Sequence, residues 1–472
     1  MQLLTFNSVF TIPVVKILTR FVLRYTFSTL IGQDGIPTIT KSITELQVEA
    51  VYDPYEHRVI EHANGFLGAF LHIVKASLGT GILAIPRAFK NAGLLVGLFG
   101  TVIVGFICTH AIHILIKASQ KVCSKTKTPS LGFAETAEGV FKLGPRWIRK
   151  FSIAARIFVE GSLFFVHFLA TSVYVVFISI SLTKLISAHY PEIDTWEDYK
   201  IKLIILVPLL IFAQIRELKH LVPLSFIANV MLFITFGITA YYMFSGIKDI
   251  DIKDRNLTTN LAGIPSFFST VLFSMEGIGT VLPVENSMKT PTFIGCPGVL
   301  NSAMTVIIVL YTVIGFLGYY RFGEDTEPTI TANLPSDEIA AEIVQGTTAI
   351  AVFFSFMLIF YVPVNIAWTR LKVIIPRPYW NISQIILRSV LVFVTVGIAI
   401  AGGEDLGFLI DLIGAIFLST LSLFVPAFLA IIVDWEDGWG IFQWRLIKDV
   451  LIMILSIFAL VAGVVYTKKN SN

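Results

Sequence analysis

"HIVKASLGTGILAIPRAFKNAG", residues His72 to Gly93, decides how this chain folds. The stretch opens like a membrane-spanning helix, yet it carries a histidine, two lysines, an arginine, glycines at 79 and 81, and Pro86. Glycine tolerates backbone dihedrals that other residues avoid, and proline lacks the N–H that a helix interior needs. A helix is therefore expected to break here. The half beyond the break would start with unpaired N–H groups and a partial positive charge, an arrangement suited to a carboxylate. Close packing of helices across Gly-x-Gly is the competing reading of a single motif of this kind.

A second copy decides between them. "GIGTVLP", Gly277 to Pro283, answers "GTGILAIP", Gly79 to Pro86. About eleven apolar runs long enough to cross a bilayer lie near 66–90, 93–117, 151–186, 201–216, 221–246, 263–285, 298–320, 338–370, 384–402, 406–433 and 447–466. The two motifs fall in runs one and six, five spans apart. Inverted repeats with a broken first helix in each half are a common plan among transporters. The expected organisation is a tail over 1–64, a first five-helix repeat over 65–246, a second over 263–433, and an additional helix at 447–466.

Composition agrees with a bundle in lipid. Of 472 residues, 55% are hydrophobic and only 14% charged, with a mean hydropathy of +0.79, whereas soluble domains are roughly a quarter charged. The long Leu, Ile, Val and Phe runs lack the ten-residue alternation of a membrane barrel. No zinc-protease helix, nucleophile elbow or phosphate loop is present, so neither an enzyme nor a nucleic-acid binder is expected.

Basic residues set the orientation. Lys117, Lys121, Lys125, Lys127, Lys142, Arg146, Arg149 and Lys150 follow the second run, and Arg370, Lys372, Arg377 and Arg388 follow the eighth. Both groups belong in the cytoplasm, together with the N-terminus; Lys468 and Lys469 in the C-terminal tail count mildly against this. Asn256 in "NLT" then faces outward and Asn381 in "NIS" inward. Residues 1–33 hold Lys16, Arg20 and Arg24 and no acid; they read as a surface helix, a targeting-like segment or a poorly ordered tail. Residues 34–64 read as a polar cytoplasmic tail, and the whole of 1–64 is expected to be disordered.

Ionisable residues within spans are costly and point to roles. His72 is the natural proton site, since histidine changes charge near neutral pH; a neutral, hydrogen-bonded packing histidine is the alternative. Lys75 lies on the same face as a candidate charge partner, set to meet a carboxylate. Glu276, in the second break, fits a contact to a substrate amine, a cation pair, a proton carrier or a hydrogen bond to unwound backbone. Glu285 is expected to be half solvated. His110 and His113 share one face, as do Arg156, Glu160 and His167; these are poor grounds for a metal site. Asp411 is a lone acid with a polar contact in the bundle.

The chain resembles the proton-coupled amino acid transporter family, a branch of the amino acid/auxin permeases, most of all its insect members. The residues that carry the resemblance are the opening stretch, "FFSTVLFSMEGIGTVLPVENSMKTP" at 267–291, "LGYYRFG" with "ITANLP" around 317–335, and "FYVP" at 360–363. It covers roughly residues 60–466. The resemblance implies an all-α membrane protein with about eleven transmembrane helices in a LeuT-like 5+5 inverted repeat, helices 1 and 6 broken. It implies symport of small neutral amino acids such as glycine, alanine and proline with protons as coupling ion, without other cofactors or metal. Proton coupling would fall to His72, and substrate contact to Ser77, Gly79, Thr80, Gly81, Phe273, Ser274, Glu276 and Gly277. The family divides between plasma membrane and lysosomal or late endosomal membrane. Its vertebrate members join the loops after spans three and seven by a disulfide, and here neither loop has a cysteine. An amino acid sensor that signals with little flux is the other function compatible with these residues.

Overall fold

The computed structural model describes residues 52–60, 63–190, 192, 197–245, 247, 250–259, 261–275, 277–335, 338–403 and 405–470. The chain divides into two units, Met1–Tyr52 and Asp53–Asn472. The account below concerns the second, and the readings made on residues 1–51 lie outside the described residues.

The regular structure among these residues is helical throughout. Among the described residues nine helices are long and apolar enough to cross a bilayer, and the pair Phe66–Ser77 and Gly81–Ala92, bent by 57°, supplies a tenth. The helix Asp198–Phe212 stands where the fourth span is expected. Its 15 residues reach about 22 Å at 1.5 Å per residue, less than the roughly 30 Å of hydrocarbon. Counting it as a short span gives the expected eleven.

Most boundaries match the apolar runs to within a few residues. The second span is an exception: it continues as helix Leu94–Thr126, beyond the point where lysines enter, because polar residues that leave the lipid can extend a helix in water. The loop after it holds a helix of its own, Phe133–Leu143. Arg156 of the third span, Ser152–Ser187, fastens that helix through Glu135 at 3.3 Å and Glu138 at 3.0 Å, and pairs with Glu160 at 3.0 Å. Glu160 also accepts from Arg370 of the eighth span. Span ten is helical over Leu406–Ile413 and Val425–Val433 with a π-helical middle, Gly414–Phe424. Gly414 lies so near the Ser269 carbonyl that any side chain there would collide with it.

Spans four and nine are joined at both ends. The fully buried Lys202 of span four pairs with Asp198 and donates to the carbonyls of Ala399, at 3.0 Å, and Gly403, at 2.6 Å, where span nine (Trp380–Ala401) ends. Arg388 of span nine, also buried, donates to Ala213 and Ile215 at 2.7 and 2.9 Å, where span four ends. Terminal carbonyls of a helix have no partners within it and attract cations. Each helix thus supplies the cap for the other.

Ahead of the first span, Pro54–His57 forms a single 3₁₀ turn capped by Asp53. Behind it Arg58 is buried; its guanidinium meets the Glu285 carboxylate at 2.8 Å and the carbonyls of Glu285, Met288 and Pro129 at 2.8, 2.9 and 3.1 Å. The Tyr55 hydroxyl donates to Glu285 at 2.6 Å; its burial, and then the Glu285 charge beside it, push its pKa far up. Glu285 is 1% exposed, so the expectation of half solvation is corrected. Neutralisation by a buried arginine, together with donation from Tyr55 and from the Gln120 amide at 3.1 Å, replaces water around it. These contacts lie at the end of the bundle that carries the basic loops, called here the basic end; the opposite end is the far end.

Candidate functional site

The first break falls at Leu78–Thr80, between the helices Phe66–Ser77 and Gly81–Ala92. Pro86 lies inside the second helix, so the glycines and not the proline mark the interruption. The second break separates Ile264–Ser274 from Ile278–Asn286. The fold brings the two breaks into contact. A Cβ on Gly81 would come within 2.6 Å of the Ser274 Cα, and one on Gly277 within 3.1 Å of the Ser77 hydroxyl. Ser274 donates its hydroxyl to the Gly81 carbonyl at 2.9 Å. Close approach of two backbones is what these glycines permit.

Each break ends one half-helix, leaving carbonyls, and begins another, leaving amides. The carbonyls are provided for. Tyr311 of span seven (Val299–Phe322) is fully buried, and its hydroxyl lies 2.5 Å from the Ser77 carbonyl and 2.7 Å from that of Ser274. One proton is shared between two acceptors. The amides are not provided for. The helices beginning at Gly81 and Ile278 have no side-chain cap, and the N–H groups of Thr80, Gly81 and Ile82 form no hydrogen bond among the described residues. Two helix N-termini with free N–H groups therefore face one small region, an arrangement able to hold a carboxylate.

Of the residues singled out from sequence, Ser77, Thr80, Gly81, Phe273 and Ser274 are buried at this junction, and Gly79 and Gly277 line it half-buried. Glu276 lies outside the described residues. The Tyr174 hydroxyl of span three would lie 3.6 Å from a Cβ on Gly79. His72 is exposed, as is Lys75 three residues on. Lys75 meets no carboxylate among the described residues; its ammonium donates to Ser225 of span five, Leu218–Phe244, at 3.1 Å. A hydroxyl is the partner within reach on that span. His113 contacts the Asn301 side chain at 2.8 Å and His167 the Leu163 carbonyl at 2.8 Å, so both are held by polar neighbours in the bundle.

Towards the far end, Asp411 is buried and accepts from Ser266 at 2.6 Å and Thr270 at 2.9 Å. Arg87, about two helix turns beyond the first break, approaches the same carboxylate at 3.6 Å. Its guanidinium lies where any side chain on Gly407 would be. The pair bridges the second half of span one and the first helix of span ten. Sequence reading missed Tyr311 and the Arg87–Asp411 pair. A tyrosine alone in the apolar run "VLYTVIG" was a signal, because its buried hydroxyl requires a partner.

Comparison with known proteins accords with this geometry. Residues 62–468 match the family described as transmembrane amino acid transporter protein. The chain is 38% identical over 419 residues to the proton-coupled amino acid transporter-like protein pathetic of Drosophila melanogaster, covering 87% of this chain and 86% of that protein. It is 25% identical over 418 residues to the probable amino acid transporter skat-1 of Caenorhabditis elegans, covering 85% and 89%. Among solved structures, Mhp1, a nucleobase-cation-symport-1 family transporter in a closed conformation with bromovinylhydantoin bound, aligns with a TM-score of 0.50 over 89% of this chain and 93% of its own. At 12% identity that likeness speaks for the fold alone, the LeuT-like bundle expected from the broken helices. The chain belongs to the transmembrane amino acid transporter family and is a multi-pass membrane transporter, not an enzyme.

Proposed function

We propose that the protein carries small neutral amino acids, of the glycine, alanine and proline type, by proton symport with alternating access. The observation that carries this reading is the pairing of the two breaks: Tyr311 occupies their carbonyls and leaves their amides open. An α-carboxylate bound there would meet N–H groups of both half-helices, and a small side chain suits a junction packed this closely. Glu276, beside the junction in sequence, is the candidate for the substrate amine. His72 is the proton site, and the basic end faces the cytoplasm, in the plasma membrane or a lysosomal or late endosomal membrane. The driving force is adequate: about 2.3 kcal/mol per charge per 100 mV, and about 1.4 kcal/mol per unit of pH gradient.

Uptake of labelled alanine, glycine and proline, with the outside pH set about one unit below and above 6.5, tests the reading, with His72→Ala alongside. The expected result is acid-stimulated uptake with inward current, lost in the variant. Surface protein that binds these amino acids without flux at either pH would overturn it in favour of a sensor.

A further inference from the structure

A cavity of about 260 Å³ opens at the far end, outside the Arg87–Asp411 pair. One wall is cationic: Arg87 and Lys90 project from the helix Gly81–Ala92. The opposite wall, the segment following span seven, is anionic and carries Glu324, Asp325 and Glu327. Glu324 is engaged, accepting from Tyr319 at 2.7 Å and Asn256 at 2.9 Å. The carboxylates of Asp325 and Glu327 are exposed and accept no hydrogen bond among the described residues. Across from them, among the described residues, Nη1 of Arg87 is buried without a hydrogen-bond partner, and Lys90 uses its ammonium only on the Thr326 carbonyl, at 3.2 Å.

Opposite charges on opposite walls of a small cavity select for a particular ligand. A simple anion would be repelled by three carboxylates and a simple cation by Arg87 and Lys90, whereas a zwitterion satisfies both walls at once. The Arg87 side chain is 18% exposed, so a carboxylate in the cavity can take a charge-assisted bond from its accessible edge as well as from Lys90. The cavity is also wired to the Arg87–Asp411 bridge. Asn91, a further lining residue, donates to Ser266 at 2.8 Å, and Ser266 donates to Asp411 at 2.6 Å. We infer that this cavity is a second amino-acid site, in which the substrate places its carboxylate on Arg87 and Lys90 and its ammonium on Asp325 and Glu327 before the Arg87–Asp411 pair parts. Occupancy there draws on the same guanidinium that holds Asp411. A waiting substrate thereby weakens that bridge.

The inference rests on the transport reading, and equilibrium binding separates the two. Purified full-length protein in lipid nanodiscs is titrated with tritiated alanine, glycine and proline. Two molecules per chain are expected for the wild type and one for Lys90→Gln or Glu327→Gln, exposed-wall changes that leave the junction of the breaks intact. Lactate, which lacks the ammonium, and ethylamine, which lacks the carboxylate, should fail to displace the second molecule. In cells, KM for uptake should rise about tenfold in either variant, the loss of one charge-assisted hydrogen bond. One molecule per chain in wild type and variants alike would overturn the second site and leave the transporter standing. No binding of any of the three would overturn both.

Discussion

At the scale of single residues, the junction depends on two that do unlike things. Tyr311 supplies one hydroxyl to two carbonyls, that of Ser77, which also accepts from the Gly79 N–H at 2.9 Å, and that of Ser274. Tyr311→Phe keeps the ring and its packing but strands the Ser274 carbonyl and leaves that of Ser77 with the Gly79 N–H alone. The expected cost is about 1–3 kcal/mol of stability, seen as a lower melting temperature in detergent, with weaker alanine uptake. Gly81 supplies room. In Gly81→Ala the new Cβ would stand 2.6 Å from the Ser274 Cα, and neither backbone can yield. Overpacking of this kind costs about 1–3 kcal/mol, so uptake should fall by about tenfold or more while surface biotinylation shows the protein still delivered. Normal uptake by Gly81→Ala would mean that the two breaks do not meet in the working transporter. The glycine was legible in the sequence because its oddity is local. Tyr311 was not, because its acceptors lie 234 and 37 residues away and an isolated tyrosine does not say which carbonyls it serves.

At the scale of elements, what matters is which helices are fastened to which. Arg58 and Glu285 tie the approach to span one onto the end of span six, with both side chains all but inaccessible. Arg58→Met leaves a buried carboxylate without its cation and should cost about 3–5 kcal/mol, whereas Arg58→Met with Glu285→Met should recover most of that loss; melting of the three proteins checks it. The helix Phe133–Leu143 is held from its surface side. There Glu138 accepts from Lys142 and Arg156, which hold its pKa below the ordinary 4.5. The stability this contact contributes is present in full well above pH 4.5 and is lost as the pH falls through the depressed value. Glu138→Gln should therefore melt below the wild type at neutral pH, with the gap closing in acid. Span positions were legible because a bilayer demands long apolar runs. The fastenings were not: 227 residues separate Arg58 from Glu285, and the sequence shows only that both are charged.

At the scale of the whole molecule, orientation can be read from carbohydrate. Asn256 lies at the far end and Asn381 at the basic end, bonded to Arg216 at 2.8 Å. With the basic end in the cytoplasm, only Asn256 is offered to glycosylation, so removal of N-glycans should shift the wild type on a gel and leave Asn256→Gln unmoved; a shift abolished only by Asn381→Gln would invert the molecule. The two-fold plan of the bundle was legible from a pair of glycine motifs five spans apart, but its physical expression in spans four and nine was not. Neither Lys202 nor Arg388 stands in a recognisable motif, and their acceptors are main-chain oxygens, which any residue offers. Those mutual caps bear on how the protein is made. Until span nine emerges from the ribosome, Lys202 has only Asp198 for company and the carbonyls at the end of span four await Arg388. The first half of the chain is thus synthesised with its debts outstanding to the second, and a transcript truncated after span five would yield a fragment marked for quality-control degradation.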